Sequence, residues 1–134
     1  MICFDSEYLH VELYEEPNVL VTQWYGKCTS DQYREALIRF NSLVRLYDVH
    51  FAIADRRLLP ALSKEDLIWT VKEFLPLFCN LPLKRFAVLN SFDEIAEELL
   101  PQFLKNTNYP IPFESQAFDD LTSAYDWLTS VKAE

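Results

Sequence analysis

The hydrophobic period of this chain changes several times along its length, and the order of those changes restricts the fold more than any single motif. Tyr8 to Glu15 alternates, with Leu9, Val11 and Leu13 on one side and Tyr8, His10, Glu12 and Tyr14 on the other, which is the period-two pattern of a half-buried strand. Glu15-Glu-Pro-Asn18 supplies turn chemistry, since Pro fixes φ and Asn tolerates the left-handed region. Val19 to Tyr25 is a second strand, rich in β-branched and aromatic residues. The short connection predicts an antiparallel hairpin. Gly26, the only glycine, closes it at a place where the backbone needs freedom.

The period then moves to helical spacing. Thr29-Ser-Asp-Gln32 is a capping-box pattern, and Tyr33, Ala36, Leu37, Phe40, Val44 and Tyr47 form one apolar stripe over about 30–47. Val49 to Ala54 is a short apolar run ending in Asp55-Arg-Arg57, as expected of a strand buried on both faces. Ser63-Lys-Glu-Asp66 caps a second helix with the stripe Leu67, Ile68, Val71, Phe74, Leu75 and Phe78, and Pro76 inside it predicts a kink or early break near residue 75. Arg85 to Asn90 is a further buried strand, and Ser91-Phe-Asp-Glu94 caps a third helix, bent by Pro101. Residues 110–118 form an edge strand, and Asp119-Asp120 opens a last helix. The order β-β-α-β-α-β-α-β-α means an α/β fold, a mixed and mostly parallel sheet that starts as an antiparallel hairpin and is covered by four helices, in one domain spanning 1–134.

Composition excludes several functions. Twelve Lys and Arg oppose 21 Asp and Glu for a net charge of −9. The first 26 residues carry acids and no Lys or Arg, so a nucleic-acid partner is not expected. No apolar run is long enough for a transmembrane segment, and the start lacks the pattern of a signal peptide, which predicts a cytoplasmic location. Cys3, Cys28 and Cys79 are scattered without a C-x-x-C and read as reduced thiols. His10 and His50 are isolated, so no metal is expected. One glycine cannot build a Gly-rich phosphate loop. No nucleophile–base pair stands out, and neither enzyme activity nor a cofactor is expected.

The element order, the junction Ile53-Ala-Asp55-Arg-Arg57 ahead of an acid-capped helix, and the closing Phe118-Asp-Asp-Leu-Thr-Ser-Ala-Tyr-Asp-Trp127-Leu128 resemble the STAS and SpoIIAA-like superfamily over nearly the whole chain. That resemblance implies a small regulatory αβ domain like the antagonists of anti-sigma factors, which are switched by phosphorylation of a serine at the start of the second helix. Ser63 falls at the matching helix start. The family's Asp-Ser-Ser/Thr-Gly junction is replaced here by a longer loop without glycine, and Glu65 and Asp66 would oppose a phosphate.

Three sets of candidate residues follow. Ser63 is a phospho-acceptor or a helix cap. Asp55, Arg56 and Arg57 lie at the C-terminal end of a middle strand, where α/β sheets gather ligands, and could bind a polar group or order the loop by an ion pair. Trp69, Phe74 and Phe78 flank the expected kink and could line an apolar groove or a homodimer face. The functional expectation is a non-enzymatic regulatory domain with a protein partner. The alternative is a carrier or sensor of a small apolar ligand, held between the second and third helices and the sheet.

Overall fold

The computed structural model describes residues 1–16, 18–93 and 111–130. Six strands form one sheet in chain order: β1 (Ile2–Asp5), β2 (Leu9–Tyr14), β3 (Val19–Trp24), β4 (Phe51–Asp55), β5 (Arg85–Leu89) and β6 (Glu114–Phe118). The pairs β1–β2 and β2–β3 are antiparallel, and every later pair is parallel. The expected hairpin is present, with Leu9 opposite Trp24 and Tyr14 opposite Val19. Asn18 takes φ 71° in its turn.

Helix α1 (Ser30–Leu46) begins with the expected capping box: Thr29 accepts from the Gln32 amide, and the Gln32 side chain accepts from the Thr29 amide. Asp48, at φ 50°, ends it. A second helical segment follows β4, made of α2 (Lys64–Trp69), a π turn (Thr70–Phe74) and α3 (Leu75–Phe78). Helix α4 (Leu121–Thr129) closes the described chain, capped by Asp120.

Alternation along the strands divides the core into two layers. Leu9, Val11 and Leu13 of β2, Leu20 and Trp24 of β3 and Ala52 of β4 pack beneath α1 and the second helical segment. Val19, Val21, Ile53, Ala87 and Leu89 point the other way, onto Ala124 and Leu128 of α4. Burial on both faces is why β3, β4 and β5 read as nearly continuous apolar runs.

Several expectations need correction. The sheet has an extra edge strand, β1, that the sequence reading did not contain. The second helix is interrupted just before Pro76, as a π turn over Thr70–Phe74, and resumes as α-helix at Leu75. Pro76 has no N–H to continue the α-helical ladder, and the turn before it shifts to wider bonds, with the Leu75 amide donating to the Thr70 carbonyl. The extra residue turns the buried face. Thr70 and Leu75 are buried, and Ile68, expected in the stripe, is 37% exposed. The described residues hold three helical segments rather than four helices. The helix expected after Ser91, with Pro101, falls mostly outside the described residues.

Strand β1 is tied to β2 by charge as well as by backbone bonds. His10 lies with Nδ1 3.1 Å from Asp5 Oδ1 and Nε2 2.9 Å from Glu12 Oε1. Only an imidazolium can donate to both. The Glu12 and Asp5 bonds raise the His10 pKa above its ordinary value. A pKa raised by folding contributes stability that is complete below the unfolded value and disappears as pH rises through the folded value. Thermal unfolding measured across pH 5 to 9 should therefore show a loss of stability above about pH 6.5 that His10→Gln removes. An identical pH profile for the variant would contradict the charged clasp.

Candidate functional site

The parallel strands β4 and β5 end side by side, and the chain leaves both on the same edge of the sheet. The loop after β4 is fastened to the segment after β5: the Arg56 amide donates to the Leu89 carbonyl at 3.0 Å, Ser91 Oγ to the Leu59 carbonyl at 2.7 Å, and the Ala61 amide to Asp93 Oδ2 at 3.1 Å. The long loop without glycine is thus a fixed rim.

The three charged residues expected there do not act together. Asp55 is buried and faces the α4 side, where it accepts from Arg57 Nε at 3.0 Å, Arg57 Nη2 at 2.9 Å and the Arg57 amide at 3.2 Å. That bidentate pair is the loop-ordering reading of these residues. Arg56 points to the opposite side and lines a cavity. Ser63 is exposed and caps α2, accepting from the Asp66 amide at 3.2 Å.

The cavity has a volume of about 330 Å³ and lies between α1, the second helical segment and the sheet. Among the described residues its walls are mostly aromatic, with Trp24, Tyr33, Phe40, Phe74, Phe78 and Phe86 the largest. Phe78 is the centre of this cluster: its ring centroid lies 5.0 Å from Phe86, 5.2 Å from Phe113 and 5.3 Å from Phe74. Arg56 and Asn90, just past the C-terminal ends of β4 and β5, and Gln116, in the middle of β6, add polar groups to the lining.

Two polar features sit inside this apolar shell. The Thr70 hydroxyl donates to the Asp66 carbonyl at 2.7 Å, so the Tyr33 hydroxyl, also 2.7 Å away, is the donor to Thr70 Oγ1. Burial pushes the Tyr33 phenol pKa up and keeps it protonated. Thr22, 5% exposed on β3, has a buried Oγ1 with no hydrogen-bond partner among the described residues. An orphaned buried hydroxyl on a cavity floor marks a place where a polar atom is wanted.

The expected groove of Trp69, Phe74 and Phe78 is divided. Phe74 and Phe78 line the cavity; Trp69 does not. It borders a second hollow between α1 and the π turn, together with Ile38, Arg45, Leu77 and Phe74, which lines both. There it meets Tyr33 edge-on at 6.3 Å and carries the Arg34 guanidinium 5.4 Å above its ring. Tyr33, Thr70 and Thr22 were not read as site residues from sequence. The only available signal was Thr70, a hydroxyl on the buried side of an amphipathic helix. Cys3, Cys28 and Cys79 are unpaired, and burial pushes each thiol up, away from the reactive thiolate.

Asp66 holds the two helical segments in place around the cavity. It is 5% exposed and accepts from Ser30 Oγ at 2.7 Å and Arg34 Nε at 3.0 Å, both on α1. Asp66→Ala should destabilise the fold by about 2 kcal/mol, because a buried charged acceptor and its partners are lost together. Exposed Glu65→Ala, one residue away, should cost no more than about 0.5 kcal/mol. Urea unfolding of the two variants checks the contrast. Compared with family models, with curated proteins and with solved structures, the chain matches none of them.

Proposed function

We propose that this chain is a carrier or sensor of a small, mostly apolar molecule bound in the aromatic cavity between α1, the second helical segment and the sheet. The observation that carries this reading is a volume of about 330 Å³ inside a wall of six large aromatic side chains. Ligand pockets run from roughly 300 to 1,000 Å³ and combine apolar walls with a few placed polar groups. Thr22 Oγ1 and the Tyr33–Thr70 pair are such groups, and Arg56, Asn90 and Gln116 offer a polar end. A ligand with an apolar body and one or two hydrogen-bonding atoms fits this distribution.

The π turn supports the same reading. Such turns concentrate at functional sites, and this one supplies Thr70 and Phe74 to the wall, with Leu75 directly after it. Native mass spectrometry of freshly purified protein should show a bound small molecule. Ala36, buried on α1 against the cavity, is the place to fill it. Ala36→Phe should weaken uptake of an environment-sensitive naphthylamine dye by at least about tenfold, the equivalent of 1.4 kcal/mol. If dye affinity is the same in wild type and variant, the cavity is not the binding site.

A second reading is favoured by one observation. Ser63 is exposed at the start of α2, the position at which the anti-sigma-factor antagonists carry their switch, and Leu58 in the preceding loop is 54% exposed. A regulatory domain with a protein partner at 55–63, in the manner of the SpoIIAA-like group, would use that surface. Mass spectrometry of the protein from its native cell tests it: phosphate on Ser63 supports the switch. Unmodified Ser63 under all growth conditions, with Ser63→Ala costing only the cap's roughly 1 kcal/mol of stability, leaves a capping role alone.

A further inference from the structure

The α4 face of the sheet carries a second cavity, unrelated to the first. It has a volume of about 360 Å³ and opens to solvent between α4 and the C-terminal part of β2. Val21, Ile53 and Leu121 form its apolar part, Tyr14 and Tyr125 are its aromatic side chains, and Thr122 and Asp126 supply its polar ones. The tyrosine centroids are 6.2 Å apart and the rings are inclined at 65°, as two walls of a corner. Tyr14 is 40% exposed, so the corner is reachable from solvent.

The carboxylate lining this corner is Asp126, exposed at its rim. Glu12, two residues before Tyr14 on the same side of β2, is held by His10 at 2.9 Å; burial and Glu12 together raise the Tyr14 phenol pKa. Among the described residues no Lys or Arg lines it. An anion would meet the Asp126 carboxylate and the negative faces of two rings. A neutral apolar ligand would gain from the floor and walls alone. A cation with an apolar skin gains from all three: the rings, Asp126 and the apolar floor. Cations bind aromatic faces at up to about 6 Å from the centroid, and two centroids 6.2 Å apart leave room for one charge within that distance of both.

We propose that the Tyr14–Tyr125 corner is a binding site for an organic ammonium ion, of the methylated or alkyl type, with Asp126 as its counter-charge. Ammonium ions of this size are weakly hydrated, so moving one from water onto ring faces costs less than moving a compact metal ion. The same chemistry is carried by free alkylammonium compounds and by methylated lysine side chains, and both fit the corner.

The test is a nuclear magnetic resonance titration of the full chain with choline and with 3,3-dimethylbutan-1-ol, its uncharged carbon isostere. Choline should shift the Tyr14 and Tyr125 resonances saturably, and the isostere should bind roughly three- to tenfold more weakly. Asp126→Asn, at an exposed position, should weaken choline by about two- to threefold, and Tyr14→Ala by about fivefold or more. Trimethyllysine in a short peptide is the second arm; its affinity relative to choline identifies the source of the ammonium group. Equal binding of choline and its isostere, or choline binding unchanged by Tyr14→Ala in a variant whose spectrum shows it folded, overturns the proposal. So does the absence of any saturable shift. Dye uptake by the aromatic cavity should be unaffected by Tyr14→Ala.

Discussion

Strand order is the constraint from which the remaining architecture follows. The six strands lie in the sheet in the order in which the chain makes them. Once β3 is in place, each parallel addition steps in the same direction, and right-handed crossovers carry the β3–β4 and β4–β5 connections over the same face. Helix α1 and the segment from Lys64 to Phe78 therefore share one face and must pack against each other as well as against the sheet. Only α4, which connects to no later described strand, returns over the opposite face, where it covers β4 and β5.

Two neighbouring helices on a twisted sheet do not close by themselves. Their near ends are joined by Asp66 with Ser30 and Arg34 and by the Tyr33–Thr70 bond. Their other ends meet through Phe40 and Phe78, 6.2 Å apart. Between these contacts the sheet offers Thr22 and Trp24 of β3 and Phe86 and Val88 of β5. The π turn adds girth to the helix at the same level. A space lined by large rings from helices and sheet alike is the geometric outcome, and it explains why one chain can be rich in Phe and Tyr and still not fill its centre.

The legible part of the fold was whatever depends on local periodicity and capping. Alternation located β2 and β3, apolar runs located β4 and β5, and Thr29, Ser63 and Asp120 each cap the helix that their side chains announced. Strand β1 escaped because it has four residues, includes a cysteine and an aspartate, and pairs with a register shift between Ile2 and Phe4. Its hydrogen-bonding partner, not its own pattern, makes it a strand. The site was legible in its materials and not in its arrangement. Phe74 and Phe78 share the cavity because they are four residues apart. The inserted residue of the π turn shifts the register of everything after Thr70 against everything before it by about 100°, one residue's share of a 3.6-residue turn. That shift sets Thr70 and Leu75 on one side and carries Ile68 away from it, whereas Trp69, nine residues before Phe78, lies about 180° from it even in a regular helix.

The two faces of the sheet differ in character for a reason of width. Six strands at about 4.8 Å spacing make a sheet more than 20 Å across, whereas one helix with its side chains is about 10 Å wide. Among the described residues one helix covers the α4 face; it reaches Val19 and Val21 of β3, and beyond them Asp5, His10, Glu12 and Gln23 point to the same face. Tyr14 stands at the boundary between the covered and uncovered halves, with an apolar ring toward α4 and a hydroxyl toward solvent. An aromatic corner beside carboxylates is what such a boundary produces when the open half of the sheet carries acids. The helix-rich face has no such boundary among its described strands, and its polar groups are hydroxyls and an amide rim in place of carboxylates. One chain thus separates an apolar interior space from an anionic exterior one by the direction in which alternate side chains leave the same strands.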